Sequence, residues 1–180
     1  MERIGKWYKT VVGFALILLC QACGQDSDPN VIQPYEGPLM EIMHMETLYS
    51  DSAVVRVRVQ AERQLEFQDG NSEFPDGIFI EFFDINGEIS STLRADRGYF
   101  NQKEKLYTGR GDVEVMSYEN GQKLNTEELH WKQDKAEIYT DKFVRIETAD
   151  EILMGEGLTA SQDFSNYRIL KPTGELGITQ

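Results

Sequence analysis

Val55-Arg56-Val57-Arg58-Val59 alternates apolar and charged side chains over five positions, which is the period of a β-strand with one buried face. The segment Ile78-Phe79-Ile80-Glu81-Phe82-Phe83 is rich in the β-branched and aromatic residues that favour strands. Turn sequences follow at short intervals, namely Asp69-Gly70-Asn71, Phe74-Pro75-Asp76-Gly77, Asn86-Gly87, Gly109-Arg110-Gly111-Asp112 and Asn120-Gly121. Many short strands joined by tight turns predict an all-β sandwich, barrel or roll.

A looser repeat is superimposed on this alternation. Leu93 and Leu124 are 31 residues apart, and each is followed seven residues later by an aromatic residue, Phe100 or Trp131. A third unit begins at Leu153 without the aromatic residue. Repeats that cannot bury an apolar face alone must stack on their neighbours. The repeat therefore predicts an elongated, twisted stack of antiparallel strands that is open at its ends.

The alternation and the repeat together predict one apolar inner face. From periodicity alone, a closed core is the better interpretation of this face, and a ligand-binding surface is the alternative. Its expected members are Ile78, Ile80, Phe82, Leu93, Phe100, Leu106, Val113, Val115, Leu124, Leu129, Trp131, Ile138, Val144, Ile146, Leu153 and Leu158.

The N-terminus has the layout of a secretory signal. Arg3, Lys6 and Lys9 precede an apolar run from Val11 to Leu19. That run is about half of the ~20 residues that a membrane-spanning helix requires.

The sequence Leu18-Leu19-Cys20-Gln21-Ala22-Cys23-Gly24 resembles a lipobox, with a small residue before Cys23 and glycine after it. Cys20 stands where a leucine-like residue is usual. A C-x-x-C redox or metal pair is the weaker alternative, because Cys20 lies inside the hydrophobic run. We expect cleavage after Ala22 and lipidation of Cys23.

Four segments follow from these signals. Residues 1–22 are the predicted signal peptide, and residues 23–38, which are rich in Pro, Asp and Ser, are a flexible tether. Residues 39–172 are expected to form one folded domain, and residues 173–180 a frayed tail.

The chain is strongly acidic. Its net charge is −13, and loss of the signal changes it to −15 because three positive charges and one negative charge leave. Nucleic-acid binding relies on clustered Lys and Arg, so no nucleic-acid partner is expected. Attraction to a membrane is expected from the acyl chains on Cys23, since an acidic domain is not drawn to anionic headgroups.

Catalysis has few candidate residues. The two histidines, His44 and His130, lack zinc-site spacing, and the chain has no G-x-S-x-G elbow or phosphate-binding glycine loop. Alternation points His130 away from Leu129 and Trp131, so we expect it to be exposed and structural. We predict no catalytic residue, no metal site and no cofactor.

Two charged features leave alternatives open. Glu127-Glu128, Asp150-Glu151 and Asp84 are the acids that a glycosidase would use, but adjacent acids in so acidic a chain are usually solvated. Arg56 and Arg58 share one strand face, which favours a solvated or edge-protecting face over a phosphate or partner contact.

Three pairs of segments together resemble the LptC family, the periplasmic component of the lipopolysaccharide export ABC transporter. The resemblance covers about Leu39 to Ile169. The segments are Phe74-Pro75-Asp76-Gly77-Ile78 with Ser91-Thr92-Leu93-Arg94-Ala95-Asp96, Leu124-Asn125-Thr126-Glu127-Glu128-Leu129-His130-Trp131 with Ile138-Tyr139-Thr140-Asp141-Lys142-Phe143-Val144-Arg145-Ile146, and Gly155-Glu156-Gly157-Leu158 with Gln162-Asp163-Phe164-Ser165-Asn166-Tyr167.

The resemblance implies an open, V-shaped antiparallel β-jellyroll of the OstA/LptA type. Its apolar interior would receive lipopolysaccharide acyl chains from the inner-membrane LptB/LptF/LptG transporter and pass them to an LptA-like periplasmic bridge protein. Several residues of the expected inner face would then contact lipid. The family implies head-to-tail pairing of strand edges, and here the expected partner edge is Tyr167, Arg168, Ile169 and Leu170, ended by Pro172.

Family members commonly carry an N-terminal transmembrane helix, which the lipobox replaces in this sequence. The expected location is therefore the periplasm, with an anchor through Cys23 in the inner membrane. The expected function is non-enzymatic lipid transfer. The alternatives are a structural or carbohydrate-binding cell-surface β-roll and, third, a carboxylate-dependent glycosidase.

Overall fold

The structure is a computed structural model that describes residues 35–173. These residues form an antiparallel sheet of eleven strands with a 3₁₀ turn at Gln133–Lys135. The predicted all-β, antiparallel jellyroll is confirmed. Within residues 35–173, no helix has the length and apolarity needed to cross a membrane. The strands are β1 (Met40–Asp51), β2 (Val54–Glu66), β3 (Ser72–Phe74), β4 (Ile78–Phe83), β5 (Ile89–Ala95), β6 (Arg97–Asn101), β7 (Leu106–Ser117), β8 (Lys123–Lys132), β9 (Glu137–Glu147), β10 (Ile152–Ser161) and β11 (Tyr167–Thr173).

The chain winds through the sheet as a meander. β3 and β4 pair with the two ends of β2, and β6 and β5 pair with the two ends of β7. β3 and β4 therefore act as one interrupted strand, and β5 and β6 act as another. Every strand then lies beside the one that precedes it in the chain, from β1 at one edge to β11 at the other.

Most of the long strands are broken near the middle. The register shifts between Arg110 and Val113 in β7, between Thr126 and His130 in β8, and between Glu156 and Leu158 in β10. Bulges of this kind bend a strand and increase its twist. The breaks lie side by side, and we call this line the crease.

Three glycines of the crease have conformations that other residues rarely adopt. Gly77 has φ +106° between β3 and β4, Gly111 has φ +76° within β7, and Gly157 has φ +75° within β10. The predicted turn at Gly109-Arg110-Gly111-Asp112 is wrong, because these residues lie inside β7 at its bulge. A glycine-rich bulge and a hairpin turn require the same residues, so local sequence does not separate them.

The crease divides the sheet into two halves. The β4–β5 half holds β4, β5 and the adjoining ends of the long strands, and the β3–β6 half holds β3, β6 and their other ends. In the β4–β5 half, one ladder of register partners runs unbroken from β2 to β10. Its members are Val59, Ile80, Leu93, Val115, Leu124, Ile146 and Leu153.

A second ladder in the β3–β6 half explains the sequence repeat. Its members run from β3 to β11 and are Ser72, Phe100, Tyr107, Trp131, Ile138, Ala160 and Tyr167. Seven residues lead from Leu93 to Phe100 along β5 and β6, and the same spacing leads from Leu124 to Trp131 along β8. The seven-residue spacing is thus the length of chain that leads from the first ladder across the crease to the second, and it recurs once for every pair of strands.

Candidate functional site

The expected inner face is largely assembled by the fold. Thirteen of its sixteen residues belong to one buried hydrophobic core, and Phe100 and Leu153 are partly buried against it. The thirteen are Ile78, Ile80, Phe82, Leu93, Val113, Val115, Leu124, Leu129, Trp131, Ile138, Val144, Ile146 and Leu158.

Leu106 is the exception, and its predicted inward orientation is wrong. Its neighbour Tyr107 is buried and pairs with Phe100 and Trp131, which are both inner-face residues. Alternation along β7 therefore places Leu106 on the outer face. The inward position is filled by Tyr107, whose hydroxyl group makes it less apolar than the neighbouring Leu106.

Several inner-face residues were not predicted. Val57 and Val59 alternate with Arg56 and Arg58, so the same pattern that predicted the strand also contained them. Phe164 is fully buried although it lies in the β10–β11 turn with φ +56°, and no local pattern indicates this. The additional core members are Met45, Val57, Val59, Phe74, Ala95, Tyr107, Ala160 and Phe164.

Trp131 joins the two halves of the sheet. Its ring lies edge-on to Phe82 of the β4–β5 half, with centroids 5.1 Å apart, and stacks on Tyr107 at the same centroid distance. The indole Nε1 donates a hydrogen bond to Oε1 of Gln162 at 3.1 Å. The two inner faces are therefore in direct contact, and the interior is closed around this side chain.

A pair of tyrosines lies beside this cluster. The hydroxyl groups of Tyr49 in β1 and Tyr107 in β7 are 2.8 Å apart. Burial raises the pKa of the Tyr107 phenol, and the neighbouring Tyr49 raises it further, so the phenol stays neutral. This hydrogen bond links the edge strand β1 to the opposite half of the sheet.

A small cavity adjoins the aromatic cluster. Its volume is about 140 Å³, and inward side chains such as Tyr49, Phe74 and Phe100 line it together with Gln64 and Gln102. Sites for drug-sized ligands usually enclose roughly 300–1,000 Å³. The cavity is therefore smaller than a typical ligand site.

Each edge of the described sheet is a strand with no partner on its outer side. Within residues 35–173, β11 pairs only with β10, and β1 pairs only with β2. The predicted partner segment from Tyr167 to Leu170 lies in β11. Pro172 does not end this strand, since Pro172 faces Gly155 and Thr173 still pairs with Met154.

Gly155 explains how β11 continues past Ile169. A Cβ atom at Gly155 would clash with Cγ2 of Ile169 and with the carbonyl oxygen of Lys171. The strands approach each other closely because β10 has no side chain at this position. The prediction of a strand end at Pro172 did not take this glycine into account.

His130 is half-buried on the outer face, so the expectation that it is exposed is wrong. Its Nδ1 lies 2.9 Å from Oγ1 of Thr108, and its ring lies 4.9 Å from that of Tyr139. Desolvation by burial lowers the pKa of His130, although Glu128 at 3.4 Å partly opposes this effect. The neutral imidazole is therefore the form that the fold favours.

His130 is expected to make stability depend on pH. Its pKa in the folded chain is below the ordinary value of 6.5, so the unfolded chain takes up the proton first and protonation favours unfolding. Stability should fall as pH drops from about 7 to about 5, and His130→Gln should reduce this fall. Urea midpoints over that range measure it, and equal slopes for both proteins would contradict the assignment.

Two of the candidate glycosidase acids make other contacts. Glu128 forms an ion pair with Arg110, and the Asp84 carboxylate accepts hydrogen bonds from the backbone N–H groups of Asn86 and Glu88. Chiefly the bond from Glu88 lowers the pKa of Asp84, which opposes a role as a general acid. These carboxylates stabilise turns and ion pairs.

The arginines of β2 also have partners within the fold. Arg56 donates a hydrogen bond to the carbonyl oxygen of Asp84 at 2.9 Å, and Arg58 pairs with Glu81 at 3.0 Å.

Cys23 and the rest of the predicted signal and lipobox lie outside the described residues, as do residues 174–180.

The described residues form a β-jellyroll, a bent antiparallel sheet with an apolar interior. The strand at each edge has no partner on its outer side. The interior and the two edges are therefore the candidate functional surfaces. The family model described as Lipopolysaccharide-assembly, LptC-related matches residues 11–172, and the chain belongs to this family. This family comprises periplasmic components of lipopolysaccharide transport, and it is not an enzyme family. No curated protein matches the chain.

Proposed function

We propose that this protein carries lipopolysaccharide acyl chains in its interior, from the inner-membrane LptB/LptF/LptG transporter to an LptA-like periplasmic bridge protein. The observation that carries the proposal is the ladder from Val59 to Leu153, which crosses the sheet without a polar interruption. An apolar path of this kind fits a linear acyl chain that moves from one edge of the sheet towards the other.

The energetics favour such a path. Each CH₂ group exposed to water costs about 0.8 kcal/mol, so an acyl chain crosses an aqueous compartment only when apolar surface covers it. Loading separates Phe82 from Trp131, and the acyl chain then supplies the apolar contacts that these rings lose. Exchange of one apolar contact for another keeps the cost of opening low.

Photo-crosslinking in cells tests the lipid-binding interior. A photoreactive phenylalanine analogue at Phe100, which is partly buried beside the cavity, is expected to capture lipopolysaccharide. The matched control is Phe79, on the outer face of β4 and 36% exposed, where the same analogue should capture none. Immunoblotting of the purified protein for attached lipopolysaccharide measures both.

A lipid-free Phe100 variant that is expressed and folded would contradict the carrier function. Equal capture at Phe100 and Phe79 would also contradict it, because lipid would then be adsorbed to the surface without entering the interior.

The edge strand β11 supports head-to-tail transfer. Its outer side is unpaired within residues 35–173, and a partner strand added there would extend the second ladder, which ends at Tyr167, into the next jellyroll. Backbone pairing at such an edge is β-augmentation. Tyr167, Arg168, Ile169 and Leu170 are the proposed contact segment.

The proposed anchor is a lipid on Cys23, with residues 1–22 removed and residues 23–38 as the tether of the domain at 39–172. Three acyl chains on one cysteine exceed the two lipid signals that stable membrane attachment needs. The anchor would hold the jellyroll beside its transporter in the inner membrane. It would take the place of the transmembrane helix that members of the family commonly carry.

Cys23→Ala is expected to abolish lipid attachment and release the chain from the membrane fraction. The fold should be unchanged, because strands β1 to β11 all lie after residue 39. Radiolabelled palmitate incorporation and membrane fractionation measure the two effects, with Cys20→Ala as the matched control that keeps the lipid. A Cys23→Ala protein that is labelled and sediments with membranes as before would refute the anchor.

A further inference from the structure

The turn between β10 and β11, residues 162–166, places an aromatic side chain inside the core. Phe164 is fully buried, although its backbone has φ +56°, a conformation that residues other than glycine seldom adopt. Burial of the phenyl ring offsets the cost of this backbone conformation. The turn is therefore held against the interior by its own side chain.

Phe164 covers the end of the second ladder. Its ring stacks on the ring of Tyr167, with centroids 5.1 Å apart and planes 9° apart. Tyr167 is the first residue of β11 and the last member of that ladder. An acyl chain that follows the ladder to the β11 edge must therefore displace the Phe164 ring to take its place on Tyr167.

The turn is bound to both halves of the sheet through one residue, Gln162. Its carbonyl oxygen accepts a hydrogen bond from Oγ of Ser91, a fully buried residue of the β4–β5 half, at 2.8 Å. Its side-chain Oε1 accepts the bond from the indole of Trp131, which lies in the β3–β6 half. Separation of the two halves breaks the first of these bonds and leaves the turn attached to one half only.

The turn lies outside the ladder pairing of the sheet. No residue of 162–166 has a register partner in another strand of residues 35–173. Its backbone is held by single bonds, from the N–H of Gln162 to the carbonyl oxygen of Ala136 and from the N–H of Phe164 to that of Ser161, both at 2.9 Å. The turn can therefore move while β10 and β11 stay paired.

We propose that the β10–β11 turn is a gate between the interior and the β11 edge, and that a departing acyl chain replaces the ring of Phe164. This inference rests on the proposed carrier function and deepens it by naming the segment that moves at the exit. Replacement of a phenyl ring by a hydrocarbon chain keeps the apolar surface of Tyr167 covered. The Ser91–Gln162 bond controls the gate, because it joins the turn to the opposite half.

Hydrogen–deuterium exchange of the full chain, with and without purified lipopolysaccharide, tests the movement. The backbone amides of Gln162 and Phe164 should exchange roughly fivefold faster with lipid, the factor expected for the loss of one ordinary hydrogen bond. The matched control is the amide of Ser117, which donates to the carbonyl oxygen of Gln122 in the β7–β8 turn at 2.9 Å and should not change. Unchanged or slower exchange of the two gate amides in the lipid-bound protein would overturn the proposal.

Two serine variants test control by the Ser91–Gln162 bond. Ser91→Ala removes the hydroxyl that binds Gln162. Ser117→Ala is the matched control, because Ser117 is the register partner of Ser91, is equally buried, and has a hydroxyl without a hydrogen-bond partner among residues 35–173. Labelled lipopolysaccharide is loaded, an excess of unlabelled lipid is added, and the photoreactive residue at Phe100 reports the label that remains over time. Ser91→Ala should raise the release rate roughly fivefold, and Ser117→Ala should leave it unchanged.

Equal release rates in the two serine variants would show that the Ser91–Gln162 bond does not control the exit. The exchange measurement uses the wild-type chain, so it decides whether the turn moves even if Ser91→Ala does not fold. Absence of lipid capture by the wild-type chain would refute the carrier function itself. Capture at Phe100 with unchanged exchange of the turn refutes only the gate.

Discussion

Trp131→Ala is expected to lower the free energy of unfolding by about 3–5 kcal/mol, the usual cost of deleting a large buried aromatic side chain. The indole is 1% exposed, contacts Phe82 and Tyr107, and donates its N–H to Gln162. Its loss removes the main contact between the two halves of the sheet and leaves the amide of Gln162 without this partner. Urea unfolding of the full chain, followed by far-ultraviolet circular dichroism, measures the change.

Two further variants make this result specific. Tyr118→Ala, at an aromatic side chain that is 60% exposed, should change stability by less than about 0.5 kcal/mol. Trp131→Phe, which keeps a ring in the interior but loses the hydrogen bond, should fall between the other two variants. A loss below about 1 kcal/mol for Trp131→Ala would show that the two halves do not pack against each other around Trp131, contrary to the structure.

Proline substitution in β11 is expected to abolish capture of the partner jellyroll. Successive backbone N–H groups of a strand point to opposite sides, so one of Ile169→Pro and Leu170→Pro removes a donor from the unpaired edge. The other removes a donor to β10. The outward-acting variant should lose the co-purified LptA-like protein while the domain stays folded, because an edge strand tolerates proline on its solvent side.

The control for this experiment is Leu170→Thr, which keeps the backbone N–H and changes an exposed side chain. It should retain the partner. If Ile169→Pro and Leu170→Pro both retain the partner at wild-type levels, β11 is not the docking edge, and β1 becomes the remaining edge to test. Circular dichroism of each variant separates loss of pairing from loss of fold.

The two predictions concern different requirements of the proposed transport cycle. The interior must be closed when empty, because side chains such as Phe82 and Trp131 are too apolar to face water. The outer side of β11 must stay unpaired, because a strand that has a partner on both sides cannot add another. A jellyroll that meets both requirements keeps its apolar path covered until a partner or a lipid is present.

Much of the inner face was predictable because alternation is a local property. Ile78, Ile80 and Phe82 lie on one face of β4 simply because side chains of a strand alternate, and the structure buries all three. The same reasoning failed at Leu106, where the choice between adjacent residues depends on the pairing of β6 with β7. A register is set by two strands together, so neither strand's sequence contains it.

The sequence by itself determined the all-β class, a stack of antiparallel strands with one apolar face, and the family to which the chain belongs. The tertiary structure alone decided that Gly109 to Asp112 form a bulge, that Phe164 turns into the core, and that the turns bearing Lys105 and Lys135 touch each other. The physical reason is one of distance along the chain. Alternation and turn chemistry act between near neighbours, whereas the crease arises only when segments tens of residues apart pair in one sheet.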